Sequence, residues 1–457
     1  MSETRNMTSS TSDLGQGVPV AASQSFVPMR SPESVPARMT AVDLFAGAGG
    51  ASLGLTRAGY DLRLSAEIDP LYAATHELNL PGAVLEADLR RVNGDTLLAA
   101  SHLEPAELDL LFAGPPCQGF SMIGPRVVWD QRNNLYLEVL RAVDALRPRA
   151  VVIENVPGLT TLAGGRYLAE ILEGLRSHGY QASCGLMLAA QFGAPQMRWR
   201  LIIIAWRNDL GIEAGYGFPS PTHGTAEIGD LLPNVSIPLH QYNGFLTTRD
   251  AIGDLPGVEA GGSVDRYLGS PVLPYQTTSR TDVTGKRMSS SVLFDHYAPA
   301  LAPKTLERIR ALRPGQDWRD LPVELLPASM QRALRKDHTR RYRRMTWDGT
   351  PRAIITRFRD PKSGEYTHPS QDRTITIREA ARIQGFPDWF AFSGPNTSKY
   401  MQVGNAVPVP LAQAIAAEVR TCLLGDPASP RLQDPFRRQS LSFLGRHGEL
   451  VAAGGSK

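Results

Sequence analysis

Between residues 40 and 207, short apolar runs alternate with amphipathic stretches, and that alternation leaves the chain few architectures. Residues 40–45, 61–67, 108–113, 150–154 and 201–206 read as strands. Residues 51–58, a stretch starting near Pro70, 134–146 and 167–177 read as helices. Strands joined through helices predict a mostly parallel α/β sheet covered on both faces. Sheets of this kind place their chemistry on loops at the carboxyl ends of the strands. The loops that follow these runs are where functional residues are expected.

Beyond about Arg207 the alternation stops. Residues 208–290 are rich in Gly, Pro, Ser and Thr; 301–313 and 324–337 read as helices, and 352–358 as a strand. Helical texture returns at 377–384 and 410–424, so a second, smaller and irregular region is expected after the sheet. Residues 1–38 are polar and aperiodic and read as a disordered tail, and 425–457 as a second tail. With 42% hydrophobic and 20% charged residues, the chain between them can build a packed core. Its 3 cysteines are far apart, which excludes a disulfide scaffold and a thiolate zinc site and suits a reducing cytoplasm. No apolar run approaches a membrane span, and no secretory leader is visible, so neither a membrane nor a metal partner is expected. Residues 331–382 hold 14 Lys or Arg against 6 Asp or Glu, a local excess of +8 in a chain of net charge +3. Within it, Arg340, Arg341, Arg343, Arg344, Arg357, Arg359 and Arg373 alternate with Tyr342, Trp347 and Phe358. This is either a phosphate-facing surface or a solvated basic face.

Four loops carry chemistry. The first, Asp43-Leu44-Phe45-Ala46-Gly47-Ala48-Gly49-Gly50, ends a strand and opens a helix, and its glycines let a nucleotide-like ligand approach the backbone. Glu67, 20 residues beyond Gly47, ends the next strand where a carboxylate meets ribose hydroxyls, and Asp88 could accept from an adenine amino group. No Lys or Arg clamp for a pyrophosphate follows, which favours a nucleoside without phosphates; a plain tight turn is the bland alternative. The second loop, Gly114-Pro115-Pro116-Cys117-Gln118-Gly119-Phe120-Ser121, sets a cysteine at a strand's carboxyl end. A lone cysteine is usually a small buried hydrophobe, but Pro-Pro before it and Gln after it argue for exposure. The third, Glu154-Asn155-Val156-Pro157, puts a carboxyl at the end of an apolar strand, where it could hold a proton for a substrate. In the fourth, Gln196-Met197-Arg198-Trp199-Arg200, a period of two would point Arg198 and Arg200 the same way.

Taken together these blocks resemble the DNA cytosine C5-methyltransferase family, bacterial type. Two further blocks resemble it in the same order, Arg378-Glu379-Ala380-Ala381-Arg382-Ile383-Gln384-Gly385-Phe386-Pro387 and Gln402-Val403-Gly404-Asn405-Ala406-Val407-Pro408. The resemblance spans roughly residues 39–424.

It implies an S-adenosylmethionine-dependent, Rossmann-like methyltransferase sheet and a smaller target-recognition domain. Residues 39–207 with 400–424 would bind cofactor and catalyse, and 208–399 would recognise the target. S-adenosyl-L-methionine would be held by Phe45, Gly47, Gly49, Glu67, Ile68, Asp88, Leu89, Pro115, Asn405 and Ala406. The resemblance makes Cys117 the nucleophile that adds to cytosine C6, and has Glu154 act on N3. It places Arg198 near the cytosine O2, with Arg200 beside it. Arg378 and Glu379 would brace the recognition domain. The implied partner is double-stranded DNA in the cytoplasm, at the nucleoid, with the target base flipped out of the duplex. A companion restriction endonuclease is compatible, and one catalytic with one recognition domain suggests a monomer. The family's Ser-Pro-Thr-like run is replaced here by Pro351-Arg352-Ala353. A tRNA cytosine methyltransferase and a catalytically silent DNA-binding homologue remain alternatives.

Overall fold

Seven strands form one sheet in the order β3-β2-β1-β4-β5-β7-β6. The structure, a computed structural model, describes residues 38–116, 134–224, 244–282, 286–288, 291–333, 341–429 and 431. These residues lie in one compact unit that starts at Arg38. The strands are β1 (Thr40–Leu44), β2 (Asp61–Glu67), β3 (Ala83–Glu86), β4 (Leu110–Ala113), β5 (Ala150–Asn155), β6 (Tyr180–Leu188) and β7 (Trp199–Arg207). Helices α1 (Gly50–Arg57), α2 (Pro70–Asn79), α3 (Gly94–Ser101), α4 (Tyr136–Leu146) and α5 (Arg166–Ser177) connect them.

β4 and β5 are buried at every residue, which is why they read as unbroken apolar runs: they are covered on both sides. Successive residues alternate between two cores. Val42, Leu111, Val151 and Ile203 pack under α3, α4 and α5. Ala41, Phe112, Val152 and Ile202 pack under α1 and the last helix. Local signals set the helix starts. The Asp69 side chain accepts from the Leu71 N–H at 2.9 Å ahead of α2, with Pro70 in its first turn.

β1 to β5 are parallel where they pair. The chain steps outward from β1 to β2 and β3, then returns to lay β4 and β5 on the other side. This leaves a switch point between β1 and β4, where such sheets open a crevice. β7 then enters antiparallel between β5 and β6. Its first residues therefore lie beside the last residues of β5, with Asn155 opposite Leu201 and Glu154 opposite Ile202.

After β7 come the short helices α6 (Thr248–Ile252), α7 (Pro274–Ser279), α8 (Pro303–Arg310) and α9 (Ala328–Ala333), then α10 (Ile377–Ile383), α11 (Asn396–Asn405) and α12 (Val409–Leu423). A third core joins Phe386, Phe390, Phe392, Tyr400 and Val403 to Ala48, Leu53 and Leu80 at the front of α1 and α2. Among the described residues no helix is long and apolar enough to cross a membrane.

Three expectations need correction. β6 is absent from the sequence reading because Ser183 and Gly185 interrupt its apolar pattern. Residues 352–358 do not form a strand: Arg352 makes one parallel bridge to Met197, and a turn follows. Side chains occupy the backbone there, since the Ile354 N–H donates to Gln196 Oε1 at 3.2 Å and its carbonyl accepts from Arg198. The basic segment does not face outward as a whole. Arg344 is buried on the carbonyls of Ile309, His368 and Gln371, and Arg373 pairs with Glu379 at 2.7 Å. Tyr342 and Phe358 are core residues, while Arg357 and Arg359 are exposed. Arg340 lies outside the described residues.

α1 packs closely on α12 at Gly54, where a Cβ would stand 2.6 Å from Ala412 Cβ and 2.7 Å from the Gln413 nitrogen. Gly54→Ala gains about 1 kcal/mol in helix propensity but inserts a carbon against backbone, at about 1–3 kcal/mol. A net loss of thermal stability is expected in a melting experiment, although alanine is the better helix former. Arg373 with Glu379 gives a second prediction. Burial alone would raise the Glu379 pKa, but Arg373 outweighs it and holds the carboxyl well below its ordinary 4.5. The unfolded chain thus takes up a proton before the folded one. The stability this carboxylate contributes is complete above about pH 4.5 and is lost as pH falls below that value. Glu379→Gln should cost about 3–5 kcal/mol near neutrality, and denaturant titrations should find its stability less dependent on pH in the acid range.

Candidate active site

The carboxyl ends of β1, β2, β4 and β5 and the start of β7 meet along one edge of the sheet. β1 runs into a turn in which Phe45 has φ 59°, Gly47 φ 59° and Gly49 φ 94°. A phenylalanine in the left-handed region is strained, and such strain persists only where surrounding contacts enforce it. Glu67 supplies one of those contacts. Its Oε2 accepts the Gly47 N–H at 2.8 Å, and its Oε1 accepts the Ile68 and Asp69 N–H groups at 2.9 Å. Burial raises the Glu67 pKa against the pull of these hydrogen bonds. Ile68, next in the chain, is 59% exposed, an apolar side chain presented at the rim.

Asp88 follows β3 and pairs with Arg90 at 2.7 Å, and the hydrogen bond from Arg90 lowers its pKa. The Leu89 side chain, by contrast, belongs to the core under α3 and α4. Asn405, exposed at the end of α11, meets the Tyr72 hydroxyl of α2, and Ala406 beside it is buried. The chain's return from residue 400 onward thus closes on α2, next to the turn.

The second half of the edge concerns Glu154. The residue is 9% exposed, and its carboxylate pairs with Arg200 Nε at 2.5 Å. A Cβ on Gly114 would lie 3.8 Å from Glu154 Oε2, so the chain leaving β4 passes directly beside this pair. Pro115 is buried there, and its carbonyl accepts from Asn155 Nδ2 at 3.2 Å. Cys117 lies outside the described residues, two positions beyond Pro115.

Arg198 and Arg200 have different destinations. Arg200 turns to Glu154. Arg198 is buried and donates to the carbonyls of Ile354, Gly404 (3.2 Å) and Ala406 (3.3 Å), leaving its Nε without a partner among the described residues. Burial, then the like charge of Arg200, lowers its pKa. Gln196 joins it, donating to the Ile383 carbonyl at 2.9 Å and to Gln384 Oε1 at 2.6 Å. Spacing in the sequence could not separate two arginines two residues apart, and it missed Tyr72 and Gln384, whose partners are remote in the chain.

Arg378 donates to the carbonyls of Phe294, Pro387 and Phe390 and is fully buried, away from the edge. Among the described residues no cluster of His, Cys, Asp and Glu could hold a metal ion.

Residues 39–421 match the C-5 cytosine-specific DNA methylase family, and the chain belongs to that family. It is a DNA cytosine-5 methyltransferase. Type II methyltransferase M1.HphI of Haemophilus parahaemolyticus is 35% identical over 385 residues, covering 83% of this chain and 86% of that protein. Type II methyltransferase M.XorII of Xanthomonas oryzae is 31% identical over 429 residues, covering 88% and 90%. A solved E. coli structure, described as a DNA modification methyltransferase encoded within a prophage, has the same fold. Its TM-score is 0.63 at 24% identity, over 85% of this chain and 100% of that one.

Arg200→Ala would leave the Glu154 carboxylate in a nearly closed site without its cation. If Glu154 handles a substrate proton, as the sequence leads one to expect, kcat falls about 100-fold or more, the scale of a misplaced proton-transfer group. Arg200→Lys should recover only part of it, because an ammonium lacks the planar fork. Steady-state kinetics on both variants would check this, and an Arg200→Ala enzyme with wild-type kcat would contradict it.

Proposed function

We propose that this enzyme methylates C5 of a cytosine flipped out of a specific duplex DNA sequence, through a covalent bond between Cys117 and C6. The observation that carries the reading is the Glu154–Arg200 pair beside the chain that leads into Cys117. It lies on the same sheet edge as the turn held by Glu67.

The cofactor in this reading is S-adenosyl-L-methionine, which supplies an electrophilic methyl group when bound. The cradle suits it: Gly47 has nothing within 4 Å of where a Cβ would stand, Glu67 and Asp88 offer carboxylate acceptors, and Ile68 offers an apolar rim. Phe45, Gly49, Asn405 and Ala406 would line the remainder, with Pro115 between cofactor and base. The Leu89 side chain faces the core, which leaves only its backbone for this role.

C5 of cytosine is a weak nucleophile. The Cys117 thiolate would bond to C6, moving the ring's electron pair toward C5 and giving it enamine character. Glu154 would hydrogen-bond to N3 or protonate it, taking up the charge that this addition builds, and Arg200 would hold that carboxyl in place. After C5 gains its methyl, with S-adenosylhomocysteine as the other product, it would lose its proton to a base such as water. The Cys117–C6 bond then breaks, the thiolate leaves and any proton on N3 returns to Glu154. Arg198 would act at a distance, by fixing the β7 entry on which Arg200 stands.

Residues 39–207 with 400–424 would form the catalytic part and 208–399 the recognition part, with exposed Arg357 and Arg359 available to phosphates. Names of the Type II class among its relatives support a place in a restriction-modification system.

Transfer of labelled methyl from S-adenosylmethionine to duplex DNA and to tRNA tests the whole reading. Label is expected in DNA cytosine, with Cys117→Ala abolishing it and Glu154→Gln lowering the rate by about 10²–10⁴-fold. Label in tRNA alone, or undiminished labelling by Cys117→Ala, would overturn it.

A further inference from the structure

Beneath the glycine turn runs a hydrogen-bonded chain of three polar side chains that the chemistry above does not use. Asp43 ends β1, Ser52 stands in the first turns of α1, and His76 lies on α2; all three are buried to 1% exposure or less. Ser52 Oγ donates to Asp43 Oδ2 at 2.5 Å, and His76 Nε2 lies 2.8 Å from Ser52 Oγ. The bond between Asp43 and Ser52 spans the turn, joining the residue two before Phe45 to the residue three after Gly49. His76 also supports the turn from below. A Cβ on Gly49 would come within 3.1 Å of the His76 ring and 2.5 Å of Leu80.

We propose that Asp43, Ser52 and His76 form a clasp that holds the Phe45–Gly49 turn in its cofactor-binding shape, which makes Ser52 and His76 positioning residues for methyl transfer. The inference rests on the reading of this turn as the cofactor site.

Proton counting fixes the direction of the chain. When Asp43 is ionised, Ser52 gives its one proton to Asp43, so His76 is the donor to Ser52, protonated on Nε2. Burial lowers the His76 pKa to about 4, so the ring is neutral near pH 7. Its Nδ1 then faces the interior as an acceptor with no partner among the described residues. A strained turn needs contacts that enforce it, and this chain ties it to three elements at once. The groups facing Asp43 are Ser52 from α1 and Glu67 from β2 and, through Ser52, Ser65 from β2 and His76 from α2. Burial raises the Asp43 pKa to about 7, the Ser52 hydrogen bond opposes this, and the Glu67 charge adds to it. Above that pH the Ser52 bond is charge-assisted and strong; below it, a neutral and weaker bond remains. Cofactor affinity therefore falls as pH drops through about 7.

The test uses the full chain, with S-adenosylhomocysteine titrated by calorimetry above and below about pH 7, alongside KM and kcat for S-adenosylmethionine. Ser52→Ala should weaken binding by about tenfold, the effect of orphaning a buried hydrogen-bonding group. KM should rise to match, with kcat at saturation nearly retained. Asp43→Asn keeps an acceptor for Ser52 but cannot titrate, so its affinity should be flat across the pH range in which the wild type changes. His76→Gln, which can still donate to Ser52, should bind better than His76→Ala. A Ser52→Ala protein that binds like wild type, or an Asp43→Asn protein that keeps the wild-type pH slope, would overturn the clasp. If Ser52→Ala does not fold, the Asp43→Asn and His76→Gln comparisons decide alone. A wild-type chain that binds no S-adenosylhomocysteine would overturn the cofactor reading, and the clasp with it.

Discussion

Arg198 carries a guanidinium into the interior and places it on main-chain carbonyls from two distant segments, Ile354 and Gly404–Ala406. A buried cation is tolerable only when such acceptors surround it. Gln196 and Gln384 extend the seam, tying the entry of β7 to the ends of α10 and α11. The seam has two consequences. It brings the segment after residue 400 back to the front of the sheet, where Asn405 reaches Tyr72. It also fixes the strand start from which Arg200 meets Glu154. Neither half of the edge would be complete without the other.

Electrostatics divides the molecule along similar lines. At the sheet edge, carboxylates are held by backbone N–H groups, as Glu67 is, or by single arginines, as Asp88 and Glu154 are. In the region after residue 250 several charges are turned inward and matched: Arg382 lies between Asp254 and Asp388, Arg373 against Glu379, and Lys399 with Asp295. Such pairs add little net stability over apolar packing but penalise any arrangement that separates them. They fix the shape of a region that has few regular elements of its own.

This explains how the sequence could mislead about residues 331–382. An excess of arginine suggested a surface for phosphates, yet Arg344 and Arg373 are among the buried residues. Their carboxylate and carbonyl partners include residues as distant as Val258 and Ile309, which no local window contains. Residues 352–358 misled for a related reason: side chains from residues 196–198 satisfy a backbone that looks like a strand. The glycine turn after β1 and the position of Glu154 at the end of β5 were legible because each is local, a short run of residue types at a strand's carboxyl end.

The sequence by itself determined the class of sheet and placed Glu154 and the two arginines where β5 ends and β7 begins. Apolar periodicity and short motifs encode such features within a few residues of each other. Tertiary structure decided which arginine meets Glu154, because β7 runs antiparallel beside β5 and Arg198 is claimed by carbonyls more than 150 residues away. It also decided that Asp43, Ser52 and His76 form one chain, since the packing of α1 and α2 against β1 brings them within hydrogen-bonding distance. Direction of pairing and long-range hydrogen bonds are properties of the folded whole, and no spacing along the chain expresses them.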